Sequence, residues 1–190
     1  MYTGSGFLDA GAQVPPKGGG QAPRTDPESR ARLRAVYLAE IGVVEASGRN
    51  DGSRIAAYLQ YCGLGEGYAW CAAFVCWAYG QAGIANPRTA WAAALFPEDR
   101  LVYQRGRTGP GGTPQQGDVF GIYFANLGRI AHVGFVDEWG EGSYFITVEG
   151  NTDQAGSRNG DGVYRKRRPK SQAYKVAAFV NPKTLDNEEY

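Results

Sequence analysis

The stretch Cys71–Gln81, CAAFVCWAYGQ, limits the architecture of this chain more than any other part of it. It carries no charge and is apolar on nearly every side of a helical wheel, and a helix of that kind has to be enclosed by protein. The segment is therefore expected as a central helix with the rest of the chain around it. With 43% hydrophobic and 13% aromatic residues in a chain of 190, there is enough apolar material for one core of ordinary domain size. Before the central helix the apolar spacing is helical. Thr25-Asp26-Pro27-Glu28 reads as a helix start, and Leu33, Val36, Tyr37, Glu40, Ile41 and Val44 follow at helical intervals until Gly48. A second helix opens at Asp51-Gly52-Ser53, runs through Ile55, Ala56, Tyr58 and Leu59, and stops at Gly63 and Gly65. Beyond Pro110 the period becomes two, with runs at Val119 to Phe124, Ile130 to Val136, Tyr144 to Glu149, Val163 to Arg167 and Val176 to Val180. Helices first and strands afterwards predict an α+β fold with the helices packed on a C-terminal antiparallel sheet. The segment from Pro97 to Gln116 is expected as loops.

Charge and cysteine usage exclude several functions. Lys and Arg number 20 against 19 Asp and Glu, so no overall field draws the protein to nucleic acid or to an anionic membrane. No apolar run approaches the roughly 20 residues of a membrane span, and Met1 to Asp9 lack the pattern of a secretory signal. Residues 1–25, with Pro15, Pro16, Pro23 and Gly18-Gly19-Gly20, are expected as a flexible leader; 26–182 as one folded domain; 183–190 as a polar tail. Cys62, Cys71 and Cys76 are an odd number without a CxxC pair, which speaks against a disulfide framework and a zinc site. Asn151 to Gly162 lacks the carboxylate ladder of a calcium loop. No metal and no cofactor are expected.

A thiol attacks as its thiolate, and the amino end of a helix stabilises that anion through unpaired N–H groups and the helix dipole. Cys71 stands where Gly67-Tyr68-Ala69-Trp70 gives way to the central helix. Cys76 is about 140° further round and, like Cys62, reads as a small buried hydrophobe. His132 is the only histidine in the chain, so a cysteine and histidine pair has one possible base. A hairpin turning at Gly140 and Glu141 would set Glu149 directly opposite His132, with Asn151 on the same face. A carboxylate there orients the imidazole and stabilises its protonated form, although a one-residue slip would send it to the other face. The run Arg165-Lys166-Arg167-Arg168 reads as charge that discourages pairing at a sheet edge. Asp118 reads as a turn residue, and Trp70 and Trp91 as core aromatics rather than groove walls.

Trp70-Cys71-Ala72-Ala73-Phe74-Val75, Gly117-Asp118-Val119, His132-Val133-Gly134-Phe135-Val136 and Val148-Glu149-Gly150-Asn151-Thr152, in that order, resemble the CHAP family (cysteine, histidine-dependent amidohydrolase/peptidase), related to NlpC-type and papain-like hydrolases. Glu45, Gly48 and Asn50 also resemble one branch of it. The resemblance implies a papain-like fold whose central helix is led by the nucleophile Cys71. His132 would serve as base, Glu149 and Asn151 would orient the ring, and an acyl-enzyme would be hydrolysed by water. The Cys71 N–H is the first oxyanion donor expected, with Tyr68 or Asn50 as the second. The implied substrate is peptidoglycan, cut either between N-acetylmuramoyl and L-alanine or within the stem or cross-bridge. The implied place of action is the cell envelope, in the periplasm or outside the cell. Production in the cytoplasm without a signal peptide would suit a delivered antibacterial effector with an immunity protein and a delivery apparatus as partners, or a phage-type lysin. Readings from other classes stay open: a non-catalytic wall-binding or assembly module, a thiol protease, or a transferase using the same pair.

Overall fold

A computed structural model describes residues 26–180 apart from 106, 109–111 and 157. The expected leader at 1–25 and tail at 183–190 lie outside the described residues. Three helices come first: α1 (Asp26–Ala39), α2 (Ser53–Tyr61) and α3 (Cys71–Gln81). Seven strands follow: β1 (Leu101–Gln104), β2 (Arg107–Thr108), β3 (Val119–Phe124), β4 (Arg129–Glu138), β5 (Tyr144–Thr152), β6 (Gly162–Pro169) and β7 (Lys175–Ala177). They form one antiparallel sheet in the order β2-β1-β7-β3-β4-β5-β6. This is an α+β fold of helices on an antiparallel sheet.

The last strand ends at Ala177 rather than Val180 and β5 runs on to Thr152, and two larger differences from the sequence expectation stand beside these. α1 stops at Ala39 and not at Gly48, because Gly42 takes a left-handed φ of 92° and the chain beyond it is drawn to the sheet. There Gly42 N–H and Val43 C=O bond Val163, Glu45 N–H bonds the Asp161 carbonyl, and Val44 bridges Gly162. Glu40, expected on the helix face, turns instead to α2, where its carboxylate accepts hydrogen bonds from Arg54 and Tyr58. The second difference is β1 and β2, which lie where loops were expected. Leu-Val-Tyr-Gln is too short to display a period of two, and pairing with β7 makes it a strand.

Every residue of α3 from Cys71 to Tyr79 is buried. The helix is enclosed by Leu33 and Tyr37 of α1, by Tyr58 of α2, and by Val133, Phe135, Val148 and Val163 of the sheet. Phe135 is the hub: Tyr37 stacks on it with ring centroids 4.7 Å apart, and Phe74 and Tyr79 meet it edge-on. A second cluster, with Phe120, Val136, Phe145 and Val176, packs on the strand positions that alternate with these. Two buried carboxylates pin α1 to the sheet. Asp118 accepts from Arg30 at 2.8 Å and, as a turn residue, from the Gln115 N–H at 2.8 Å. Asp137 accepts from Arg34 at 2.8 Å and Tyr37 at 3.0 Å. With its flank fixed in this way, α3 presents its amino end to the middle of β4.

Candidate active site

Cys71 is the first residue of α3 and is 4% exposed. Burial pushes its thiol pKa up, but the hydrogen bond to His132 and those from the Val133 and Ala72 N–H groups bring it below the ordinary thiol value. His132, on β4, is buried at 1% exposure. Its Nε2 lies 2.7 Å from Glu149 Oε2. Among the described residues its buried Nδ1 has no hydrogen-bond partner, and the ring lies near enough to the Cys71 thiol for each to shift the other's pKa. Burial works against a charged imidazole, yet Cys71 and Glu149 raise the His132 pKa to about 9. The two shifts favour the charged form of each partner, thiolate on Cys71 and imidazolium on His132.

Glu149 reaches His132 by a route the sequence expectation did not contain. The hairpin pairs Phe135 with Val148 and Val136 with Thr147, and a bulge at Asp137 precedes the pair Glu138 and Ile146. Continuing that ladder sets Gly134, not His132, opposite Glu149. The register is displaced by two residues, and a shift of two keeps the same face where a shift of one would not. Gly134 makes the contact possible: a Cβ there would stand 2.7 Å from Glu149 Cγ. The carboxylate therefore leans across the space over Gly134 toward the neighbouring ring.

Asn151 does not join that row. Its φ of 55° breaks the strand alternation and turns its side chain toward the segment before the nucleophile. Its Oδ1 accepts the Trp70 N–H at 3.1 Å, while its Nδ2 donates to Asn50 Oδ1 and the Gly160 carbonyl, both at 3.0 Å. Glu45 completes the cradle, accepting Trp70 Nε1–H at 2.8 Å and the Asn50 N–H at 2.9 Å. Trp70 is fully buried and fixes the entry to α3 from both its backbone and its indole. Asn50 is half-buried beside this cradle, whereas Tyr68 is exposed. Trp91, expected in the core, is exposed, with the Arg129 guanidinium 4.1 Å from its ring.

Arg168 and Thr147 were missed. Arg168 pairs with Phe145, and its side chain runs along the sheet to Glu149. Its Nε bonds Oε1 at 2.5 Å and its Nη2 bonds Oε2 at 2.6 Å, and Thr147 Oγ1 donates to Oε1. Burial raises the Glu149 pKa, but Arg168 and then His132 overcome it and hold the carboxyl at about 2. The expectation that this basic run serves only the sheet edge is therefore corrected for Arg168, which is 6% exposed. Strand alternation, which sets Arg168 and Lys166 on one face and Arg165 and Arg167 on the other, was the signal available for it.

The other two cysteines are free and lie apart from this row. Cys76 exchanges hydrogen bonds with the backbone of Thr89 at 3.4 Å and shares one with Cys62. Among the described residues no three His, Cys, Asp or Glu side chains gather to hold a metal ion, and no helix is long and apolar enough to cross a membrane.

A family model, that of the CHAP domain, matches residues 63–151. Over that span the chain is similar to the CHAP domain. Such domains are in general cysteine- and histidine-dependent hydrolases of the amidase or peptidase type associated with peptidoglycan. The matched span holds Cys71, His132, Glu149 and Asn151 and ends before Arg168. No curated protein and no solved structure matches the chain.

Proposed function

We propose that this CHAP-like domain cleaves amide bonds of peptidoglycan through an acyl-enzyme, in a papain-like arrangement with Cys71 as the nucleophile heading the central helix. The observation that carries the reading is the buried contact of Cys71 with an imidazole whose other nitrogen is held by a carboxylate. In the reaction the Cys71 sulfur bonds the amide carbonyl carbon and the carbonyl electrons move onto oxygen. The Cys71 N–H, at the first helical position and without an intrahelical partner, is placed to meet that oxyanion. His132 gives its proton to the leaving amine, the C–N bond breaks, and a thioester remains. His132, now neutral, takes a proton from water, and hydroxide releases the acid and the thiolate. Glu149 orients the ring and balances its charge throughout. Asn151 serves this row at one remove, by fixing Trp70 and hence the start of α3.

The bond is either N-acetylmuramoyl-L-alanine or a peptide bond of the stem or cross-bridge. The place of action is the envelope, where that polymer is found, and an antibacterial effector or lysin role follows, with an immunity protein as partner in the effector case. Digestion of purified sacculi by wild type and Cys71→Ala, with products resolved by chromatography and mass spectrometry, tests the reading. New amino termini made by the wild type alone support it and name the bond. Intact sacculi with both folded proteins would overturn it.

A further inference from the structure

We propose that Arg168, which lies outside the span shared with the CHAP family, is a positioning residue of the catalytic row, holding Glu149 ionised and aimed at His132 through a two-point clamp. The inference rests on the proposed roles of Cys71 and His132. Four donors meet the two oxygens of Glu149. Thr147 Oγ1 and Arg168 Nε serve Oε1, and Arg168 Nη2 and His132 Nε2 serve Oε2. Arg168 is itself anchored by Gln172 Oε1, 3.0 Å from its Nη1, and approached by the Gly156 carbonyl. These contacts leave the guanidinium little freedom to swing away.

The groups facing Glu149 come from four directions. β4 contributes His132, with Cys71 of α3 behind it; β5 contributes Thr147; β6 contributes Arg168 and, at longer range, Lys166, whose ammonium feels the Glu149 charge while bonded to the carbonyls of Asp153 and Gln154. Cys71, His132, Glu149 and Arg168 thus follow one another along one buried line. A carboxylate 0% exposed without the guanidinium would favour its neutral form. His132 would then lose the anion that supports its charge, and Cys71 the cation that supports its thiolate. The reactive thiolate should form only at higher pH.

The test uses the full chain as wild type, Arg168→Met and Arg168→Lys, with two readouts. The first is the pH dependence of Cys71 alkylation by iodoacetamide, followed on the Cys71 peptide by mass spectrometry so that Cys62 and Cys76 do not interfere. The second is peptidoglycan turnover. For Arg168→Met the alkylation midpoint is expected to move up by about one pH unit or more, and turnover at pH 6 to fall at least about tenfold in kcat with KM little changed. Part of the loss should return at pH 8 as Glu149 ionises. Arg168→Lys keeps the charge but not the fork, so its midpoint should lie between the two; this variant decides the matter if Arg168→Met does not fold. A folded variant with the wild-type midpoint and a rate within twofold overturns the inference. If the midpoint moves but the wild type leaves peptidoglycan intact, the substrate reading falls and the role of Arg168 stands. If the wild type digests peptidoglycan and no variant moves the midpoint, Arg168 falls alone.

Discussion

Two buried carboxylates on neighbouring strands, Asp137 of β4 and Glu149 of β5, are built from the same parts and end in different roles. Each is clamped by arginine and by a hydroxyl. Asp137 takes Arg34, Arg165 and Tyr37; Glu149 takes Arg168 and Thr147. The arginines of Asp137 are 36% and 41% exposed in their side chains, whereas that of Glu149 is 7% exposed. The partners of Asp137 come from α1 and β6, so the cluster fastens α1 to the sheet. Glu149 has one partner that titrates, His132, and that partner faces a thiol. A buried carboxylate and arginine pair is therefore no sign of chemistry by itself. What its remaining oxygen touches decides.

The comparison can be broken most sharply at the thiol. Cys71→Ala should lower amide hydrolysis by roughly 10⁴-fold or more with the unfolding temperature little changed, measured by product release and calorimetry. Glu149→Gln comes next, with an expected loss of about a hundredfold in kcat. Asp137→Asn, the matched change, should leave turnover per folded molecule unchanged but cost about 3 to 5 kcal/mol in denaturant unfolding. Equal losses of rate from both would erase the distinction drawn between the clusters.

pH sharpens it further. The thiolate and imidazolium pair is present above the lowered Cys71 pKa and is lost as His132 deprotonates, so kcat/KM should fall on the alkaline side near pH 9. Stability follows the same groups with opposite signs. Glu149, held at about 2 against an ordinary 4.5, contributes stability that is full above 4.5 and lost as pH drops through 2. His132, raised to about 9 from 6.5, contributes stability that is full below 6.5 and lost as pH rises through 9. Chemical denaturation across pH should therefore place this contribution at its greatest between 4.5 and 6.5. The smallest effect is expected from Arg165→Gln. Its half-exposed guanidinium shares Asp137 with Arg34, so unfolding should shift by about 1 kcal/mol or less and turnover not at all.

Much of this was written locally. The uncharged run Cys71–Gln81 dictates a buried helix wherever it packs, the glycines after Tyr61 end α2, and period-two runs mark β3 to β6. The single histidine leaves one partner for a thiol at a helix start. These features depend on near neighbours in the chain, which is why reading along it suffices. The remainder depended on residues far apart. A turn three residues out of the expected register, with one taken back by the bulge at Asp137, displaced the pairing by two, and Glu149 met His132 all the same because the net displacement was even and Gly134 left the space open. The left-handed turn at Asn151 redirected a side chain assigned to the ring toward Trp70. Arg168, read as edge charge, turned inward because a buried carboxylate four residues along the partner strand needed a cation. By itself the sequence determined most of the elements and which cysteine and histidine could meet. Only the tertiary structure decided what surrounds that pair, because hydrogen bonds between strands are chosen by packing and register, which no local spacing encodes.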